Sequence, residues 1–305
     1  MDRIVGDQTP ITADVFLSDV CNNACPYCTY KRHSDDIIPS KEHFMSFEQF
    51  NLYADILLNK GIQGIILTGG GEPTLNPDFK KITEWLENNE IHYGINTNFN
   101  IYYEFAPDYL KISLDGYDRE SYKQIRGVDA YDKVIENIKK YCQWKQKNNI
   151  KTKVGLQILV SDVSQISRFY SAHKNLPVDY FNFRPNEDAN FHYDNQALSN
   201  IHYALNYLKQ TDNRVVINYK WWLLDHPFKQ CYAHWSQLAL NHKGEVLYCC
   251  HKPNEIIGHI CENDILNKHK KATYNPFSCD VPCRLSGPNI ALEEISNIKE
   301  DIYFI

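Results

Sequence analysis

Short apolar segments alternate with longer amphipathic ones from residue 10 to about residue 185. The apolar segments have the length of strands in a parallel sheet, and they occupy residues 14–18, 64–68, 93–97, 109–114, 153–160 and 179–184. Between them, apolar residues recur at helical spacing over residues 46–60, 77–89, 131–148 and 163–174, whereas residues 98–108 are too few for a full helix. This alternation predicts an α/β fold, a partial (β/α)6 TIM-like barrel, with an open doubly wound sheet as the alternative.

The pattern changes after a polar helical stretch at residues 195–210. From about residue 219 the chain contains short apolar segments, turns and cysteines with little helical periodicity. Residues 241–249 predict a β-hairpin, because Lys243 and Gly244 supply a turn between two apolar segments. We therefore expect two domains, the partial barrel at residues 1–218 and a small cysteine-rich β-hairpin domain at residues 219–305.

Composition and charge argue against several classes of function. The 305 residues carry a net charge of −6 without a basic tract, which argues against a nucleic-acid partner. No apolar segment approaches the roughly 20 residues that cross a bilayer, and the amino terminus lacks the apolar core of a signal peptide. We expect a cytoplasmic protein with no membrane partner.

Nine of the ten cysteines fall into two groups. Disulfide frameworks are typical of short secreted chains, so clustered cysteines in a cytoplasmic chain indicate metal binding or catalysis. The first group is Cys21, Cys25 and Cys28, and the second is Cys231, Cys249, Cys250, Cys261, Cys279 and Cys283. Cys142 shares a helical stripe with Val134 and Ile138, which is typical of a buried structural thiol. The two groups predict two metal sites on two structural units.

The first group directly follows the first predicted strand with the spacing Cys-x3-Cys-x2-Cys. Three thiolates on one loop suit a four-iron cluster, because three irons bind protein and the fourth stays open for a small molecule. A zinc loop is the alternative. At the end of the second strand, Gly69, Gly70 and Gly71 permit close approach of a ligand to the backbone, and Glu72 can accept a hydrogen bond from an amine. A simple glycine turn is the alternative there.

Together, these two motifs resemble the radical S-adenosylmethionine (SAM) superfamily over roughly residues 12–185. The resemblance implies a [4Fe-4S] cluster on the three loop cysteines, whose open iron chelates the amino and carboxylate groups of SAM. It also implies that Tyr27 packs on adenine and that Gly70, Gly71 and Glu72 contact the methionyl amino group.

Later strand ends match the family as well. The resemblance assigns cofactor contacts to Asn98, Ser113, Asp115, Arg126 and Gln157. It places Arg184 in the cavity as a candidate catalytic residue, and it pairs Arg126 with the SAM carboxylate. Phe99 stands where relatives often have a glycine. By residue type alone, Arg126 could equally be a solvated arginine at a helix end, and Asp115 a turn former.

The second cysteine group resembles the auxiliary-cluster domains called SPASM and twitch. Their leading signature, a cysteine followed by Gly-x4-Cys, is matched by Cys231, Gly244 and Cys249. The shorter twitch form, with one additional [4Fe-4S] cluster, fits better because only one closing cysteine pair remains. The implied ligands are Cys231, Cys249, Cys279 and Cys283, and Cys250 competes with Cys249. A zinc ribbon is the alternative, since four thiolates satisfy zinc equally well.

The resemblance implies reductive cleavage of SAM to a 5′-deoxyadenosyl radical that abstracts hydrogen from an unactivated carbon. The cofactors would be SAM and two [4Fe-4S] clusters, and the electron donor an external reductase such as flavodoxin or ferredoxin. Loss of a second electron to the auxiliary cluster would make the enzyme an oxidoreductase. A hydrogen atom returned by Cys250 or Cys261 would make it an epimerase, and structural filler is the alternative role for both thiols.

The substrate class rests on weaker observations. The first strand begins within about fourteen residues of the start, which leaves no room for the leader-binding domain that peptide-modifying relatives often carry. We therefore expect a small natural-product substrate of the sugar or aminocyclitol type, with modification or crosslinking of a ribosomal peptide as the alternative. Two other classes are a zinc-stabilised binding or scaffold protein, and an inactive member that keeps one cluster for electron transfer.

Overall fold

The computed structural model describes residues 10–28, 30, 40–186, 188, 190–218, 221, 228–274, 279, 283 and 285–298. The strands are β1 (Thr12–Phe16), β2 (Gly64–Thr68), β3 (His92–Thr97), β4 (Tyr109–Ser113), β5 (Lys153–Val160), β6 (Tyr180–Pro185), β7 (Val215–Ile217), β8 (Gln237–Leu240), β9 (Glu245–Leu247) and β10 (Ile256–His259). The α-helices are α1 (Phe47–Asn59), α2 (Phe79–Asn88), α3 (Arg119–Arg126), α4 (Tyr131–Lys147), α5 (Val163–His173), α6 (Asn195–Thr211), α7 (Ala233–Ser236), α8 (Ile265–Lys271) and α9 (Ser286–Ile298).

The strands in the described part of the chain form one open sheet in the order β10-β9-β8-β1-β2-β3-β4-β5-β6-β7. From β1 to β7, each strand pairs in parallel with the next. Helices connect most of these strands, and the residues between β3 and β4 form no helix, as predicted. The α/β fold with a partial, unclosed barrel is therefore confirmed.

The tail of the chain adds to this sheet. β8 pairs in parallel with β1, with Gln237 opposite Thr12, and β9 turns back antiparallel to β8. This confirms the predicted hairpin, whose turn residue Gly244 has a φ of +84° in the left-handed region that favours glycine. The pairing with β1 was not predicted. It brings the carboxyl end of β8 to the same edge of the sheet as the carboxyl ends of β1 and β2. The domain boundary near residue 218 stays a prediction.

Local signals in the sequence set most of the helix ends. Ser46 caps α1 through a reciprocal capping box with Gln49. Helix α2 begins two residues later than expected, because the short 3-10 turn Pro73–Leu75 precedes its cap Asp78. Helix α3 was not predicted. None of the helices in the described ranges is both long and apolar enough to cross a membrane.

The main core lies between the outer face of the sheet and the helices. Successive side chains of a strand point to opposite faces, so Ala13 and Val15 of β1 pack outward with Phe50 and Leu57 of α1 in one buried cluster. Cys142 of α4 is buried in the same cluster, which confirms its predicted place. The residues between these positions face the inside of the barrel and are available for a site.

His173, at the end of α5, gives the fold a testable pH dependence. Its Nδ1 lies 2.8 Å from the Phe169 carbonyl oxygen and its Nε2 lies 2.9 Å from the Tyr131 hydroxyl. Burial lowers the pKa of His173 from 6.5 to about 4, and the hydrogen bond to Phe169 only partly opposes this. Between pH 6.5 and pH 4, His173 is therefore protonated in the unfolded chain but neutral in the folded chain. Acid thus favours unfolding.

We expect His173 to remove about 2 kcal/mol from the free energy of unfolding between pH 7 and pH 5. Urea titrations of the wild type and of His173→Gln at both pH values measure this contribution. The variant should lose less stability on acidification than the wild type does. An equal loss in both proteins would show that His173 is not the group that titrates.

Candidate functional site

A cavity of about 210 Å³ opens at the carboxyl edge of β1 to β4. Because parallel strands end at the same edge, the loops that follow them meet there. Ten of the predicted site residues line this cofactor cavity: Cys21, Cys25, Tyr27, Cys28, Gly70, Gly71, Glu72, Asn98, Ser113 and Arg126. The first cysteine group and the glycine motif, 41 residues apart between Cys28 and Gly69, thus share one site.

The loop that carries the first cysteines is held against α3 and the loop after β3. The Ala24 N–H donates to the Arg126 carbonyl at 2.9 Å, and Gly127 has a φ of +73° where a Cβ would lie 2.4 Å from the Ala24 carbonyl oxygen. Side-chain donors also reach the sulfurs. Arg126 Nη1 lies 3.4 Å from Cys25 Sγ, and Asn98 Nδ2 lies 3.7 Å from Cys21 Sγ. These donors stabilise negative charge on sulfur.

The Cys21 thiol needs a nearby cation to ionise at neutral pH. Burial, followed by the nearby Glu72 carboxylate and the other two thiols, raises the pKa of Cys21 to about 12. A bound metal reverses this, because a coordinating thiol loses its proton. No group of three or more His, Cys, Asp or Glu side chains in the described ranges converges as a site for a single metal ion. In a cluster each thiolate binds its own iron, so three sulfurs on one loop facing one cavity, with cationic and amide donors beside them, fit a four-iron cluster.

The glycine motif after β2 is packed against the loop after β1. Gly71 N–H donates to the Ser18 carbonyl at 2.9 Å, and Glu72 N–H donates to the Val20 carbonyl at 2.8 Å. A Cβ on Gly71 would lie 2.0 Å from the Val20 carbonyl oxygen, which no side chain permits. The glycine is therefore needed for this close approach between two backbones, beyond any role toward a ligand.

Glu72 is buried and almost fully hydrogen-bonded by the protein. Its Oε1 accepts from the Thr74 N–H at 3.1 Å, from Thr74 Oγ1 at 2.6 Å and from Thr97 Oγ1 at 2.5 Å, while Oε2 accepts from the Asn98 N–H at 2.7 Å. Burial raises the pKa of Glu72, and these donors counteract the rise. A carboxylate oxygen has two lone pairs, so Oε2 keeps one for a donor in the cavity.

Arg126 and Asp115 form a buried ion pair behind the cysteine loop. Arg126 Nη2 lies 2.5 Å from Asp115 Oδ2 and also donates to the Ser113 carbonyl. Asp115 accepts from the Tyr27 hydroxyl at 3.0 Å and from the Leu159 N–H at 2.7 Å. Burial lowers the pKa of Arg126, but Asp115 together with Tyr27, Cys25 and Tyr122 outweighs burial and raises the pKa well above its usual value. Arg126 is therefore not a solvated helix-end arginine.

The pairing that the resemblance implied for Arg126 is only partly compatible with this network. Its terminal nitrogens already bind Asp115, the Ser113 carbonyl and the Cys25 sulfur. Its buried Nε has no hydrogen-bond partner within the described residues. Three other predicted residues do not line the cofactor cavity, namely Asp115, Gln157 and Arg184. Asp115 stands behind Arg126, and Gln157 accepts a hydrogen bond from Arg184 Nη1 at 3.0 Å.

The structure places Cys283 near each of the other three predicted ligands of the second site. Cys231 is buried in one small cluster with Tyr248, and Cys249 packs against it. Burial raises the pKa of Cys283 to about 11, and the neighbouring thiols of Cys231 and Cys279 add to the rise. The pKa of Cys249 is raised by its contact with Cys250, by burial and by the Cys283 thiol. The Cys283 thiol is thus near those of Cys231, Cys249 and Cys279.

The two candidate catalytic thiols lie in different places. Cys250 is buried with Phe16, Ala239 and Leu247, and its carbonyl accepts from the Tyr30 hydroxyl at 2.5 Å. It therefore lies between the second cysteine group and the barrel. Cys261 is exposed and does not line the cofactor cavity. It lies near Tyr53 of α1, whose pKa is raised mainly by burial and further by Cys261.

Sequence reasoning missed several residues that build the cavity. Thr74 and Thr97 position Glu72, and Tyr30 forms part of the cavity wall with its ring edge-on to Phe16 at 5.8 Å. A side chain on Gly70 would contact the Tyr30 ring at 3.1 Å. The only available signal for Tyr30 was its position two residues after Cys28.

Comparisons with known proteins agree on the family of the barrel. Residues 15–156 match the family described as the Radical SAM superfamily. The probable GTP 3′,8-cyclase of Saccharolobus islandicus (strain M.14.25 / Kamchatka #1) is 34% identical over 135 residues, which are 41% of this chain and 41% of that protein. The chain thus matches about two fifths of the length of the curated relative.

Two solved structures share the fold over most of the chain. The anSMEcpe structure with bound AdoMet and Cp18Cys peptide has a TM-score of 0.63 at 18% identity and covers 86% of this chain and 80% of its own. Streptococcus suis SuiB bound to precursor peptide SuiA has a TM-score of 0.62 at 14% identity and covers 90% of this chain and 64% of its own. At these identities the likeness is one of fold.

Proposed function

We propose that this chain, whose residues 15–156 match the Radical SAM superfamily, cleaves SAM reductively and abstracts a hydrogen atom from a carbon of a small natural-product substrate. The substrate is of the sugar or aminocyclitol type, and the outcome is dehydrogenation or epimerisation. The observation that carries the proposal is the shared cavity. Three thiols from one loop and three glycines and a buried glutamate from another line it together.

Cys21, Cys25 and Cys28 hold the [4Fe-4S] cluster in this proposal. When bound, the cluster and SAM supply a 5′-deoxyadenosyl radical that abstracts hydrogen from carbon. Arg126 and Asn98 donate hydrogen bonds to two of the thiolates and thereby stabilise the negative charge that cluster binding leaves on sulfur.

The groups around the cysteine loop hold SAM. Glu72 offers the remaining lone pair of Oε2 to its cationic amino group, and the threonines that hold Glu72 fix that oxygen in place. Gly70 leaves room beside the Tyr30 ring for the methionyl portion. The Tyr27 hydroxyl donates to Asp115, and this hydrogen bond fixes the ring that would pack on adenine.

The tail provides the second cluster site in this proposal. Cys231, Cys249, Cys279 and Cys283 bind an auxiliary [4Fe-4S] cluster, and the proximity of Cys283 to the other three thiols supports this assignment. Cys250 is placed differently, on the barrel side of that group. An epimerase would use this buried thiol to return a hydrogen atom, whereas a dehydrogenase would use the auxiliary cluster to accept the second electron.

Modification of a peptide is the second candidate. It is favoured by the shared fold with anSMEcpe and SuiB, each of which was solved with a peptide bound. The external reductase and the cytoplasmic location belong to the proposal in both cases.

Anaerobic reconstitution tests the proposal. We expect about eight iron atoms per chain, four for each of two clusters, and formation of 5′-deoxyadenosine when SAM and dithionite are added. About four iron atoms with full SAM cleavage would remove the auxiliary cluster and keep the enzyme. Bound zinc in place of iron, or iron without SAM cleavage, would contradict the proposed activity.

A further inference from the structure

A second cavity, of about 290 Å³, lies beside the cofactor cavity at the same edge of the sheet. Tyr30 and Gly70 line both cavities and form a shared wall between them. The other side of the second cavity comes from the tail, because β8 runs parallel to β1 and ends beside it. The turn that follows β8 thus places His242 opposite Asp19, which follows β1.

His242 has an unmet hydrogen-bonding group in this cavity. Its side chain is 7% exposed, and its Nε2 lies 3.8 Å from Asp19 Oδ2 without a hydrogen-bond partner in the described part of the chain. Asp19 Oδ1 accepts from His43 Nδ1 at 2.8 Å. A buried polar atom left without a partner destabilises the fold by roughly 1–3 kcal/mol, so its presence beside an open cavity points to a ligand that pairs with it.

The charge of His242 suits such a ligand. Burial lowers the pKa of His242, Asp19 opposes that effect, and the net shift is downward, so the imidazole is neutral at pH 7. A neutral ring nitrogen either accepts or donates, depending on the tautomer. Asp19 beside it accepts only. The pair therefore recognises a hydroxyl or amine, which can donate to the carboxylate while it exchanges a hydrogen bond with the ring.

The remaining lining limits the size and character of the ligand. Phe16, Leu247 and Pro253 give the cavity apolar surface, which suits a carbon skeleton. The Glu245 carboxylate at the rim already accepts from Asn241 Nδ2 at 2.6 Å. A volume of about 290 Å³ is at the lower end for ligand sites, the size of one sugar ring or one amino-acid side chain.

We propose that the second cavity is the substrate site, and that Asp19 and His242 hold a hydroxyl or amine group of the substrate. The adjacent carbon then faces the shared wall at Tyr30 and Gly70. When SAM is bound and cleaved, its 5′-deoxyadenosyl radical would take the hydrogen atom from this carbon, which would leave 5′-deoxyadenosine and a substrate radical. This inference rests on the proposed function, because the radical comes from SAM bound in the cofactor cavity.

Deuterium transfer tests the site without knowledge of the natural substrate. The reconstituted full-length enzyme is given SAM, dithionite and one of three carbon-deuterated probes: serinol, glycerol or N-acetylserinamide. The deuterated fraction of the 5′-deoxyadenosine is measured by mass spectrometry. Because the readout is a fraction, a change in total SAM cleavage does not enter it.

We expect deuterium in 5′-deoxyadenosine from at least one probe, and a fraction about tenfold lower in His242→Gln and in Asp19→Asn, the loss of one charged or buried hydrogen bond. His92→Gln is the matched control, because His92 pairs with Asp108 at 3.1 Å on the opposite edge of the sheet and should keep the wild-type fraction. Transfer from serinol or glycerol would indicate a free small molecule, and transfer only from N-acetylserinamide a peptide side chain.

Two results would overturn the inference. One is no deuterium transfer to wild type from any probe, and the other is the same fraction in both cavity variants as in His92→Gln. Failure of the proposed function gives a different result, because the wild type would then form no 5′-deoxyadenosine at all, with or without a probe. Circular dichroism of each variant separates loss of the fold from loss of the site.

Discussion

Replacement of Cys25 by alanine should abolish SAM cleavage and remove about four of the expected eight iron atoms per chain. Cys25 is buried in the loop between β1 and α1, and its sulfur accepts a hydrogen bond from Arg126 Nη1 at 3.4 Å. Alanine offers no ligand there, so a cluster would have only two protein thiolates left. Without the cluster there is no electron for SAM, and 5′-deoxyadenosine should fall below detection.

Cys142→Ala is the matched control for this variant. Cys142 is also a buried cysteine, but it packs in the core on α4 and contributes no thiol to either group. We expect its iron content and SAM cleavage to equal those of the wild type. If Cys25→Ala keeps both iron and activity, the cluster is not held by this loop. If Cys25→Ala loses all eight irons, the two sites are not independent.

The barrel could be predicted from the sequence because its signals are local. Predicted strand bounds such as 64–68 and 153–160 coincide with β2 and β5, since apolar runs bounded by turns and helices define them. Because the cysteines and Glu72 directly follow predicted strands, they were expected at the carboxyl edge of the sheet. In the structure they line the cofactor cavity at that edge. Order along the chain is sufficient here, because consecutive parallel strands are also neighbours in the sheet.

The parts that sequence reasoning missed depend on contacts between distant segments. The pairing of β8 with β1 joins residues 225 positions apart, and parallel pairing leaves no turn signal to fix it. The second cavity follows from that pairing. The buried environment of Arg126 was likewise invisible, since an arginine at a helix end is solvated unless another strand supplies a carboxylate. Asp115 supplies it, with a left-handed φ of +54° that suits a turn-forming residue.

The buried ion pair leads to the second large expected effect. Arg126→Met should lower the free energy of unfolding of the cluster-free protein by about 3–5 kcal/mol, because it leaves the Asp115 carboxylate buried without its cation. The Tyr27 hydroxyl and the Leu159 N–H would still donate to Asp115, but neither carries charge. Urea unfolding followed by circular dichroism measures the change.

Arg119→Met is the control on the same helix. Arg119 also pairs with carboxylates, Asp129 at 3.0 Å and Asp132 at 3.2 Å, but its side chain is 65% exposed. Water screens this pair, so its loss should lower the free energy of unfolding by at most about 1 kcal/mol. A similar small change for Arg126→Met would show that the pair behind the cysteine loop is not desolvated.

A double variant separates the charge from the packing. Asp115→Asn keeps a side chain that tolerates the left-handed φ and removes the charge that Arg126 would leave behind. Combined with Arg126→Met, it should therefore recover part of the stability that Arg126→Met loses alone. The coupling of the pair is the change in unfolding free energy of the double variant minus the sum of the changes in the two single variants. Full additivity of the two substitutions would mean that Arg126 stabilises the loop through its contacts with Ser113 and Cys25. The ion pair would then matter only for holding Tyr27 in the cavity.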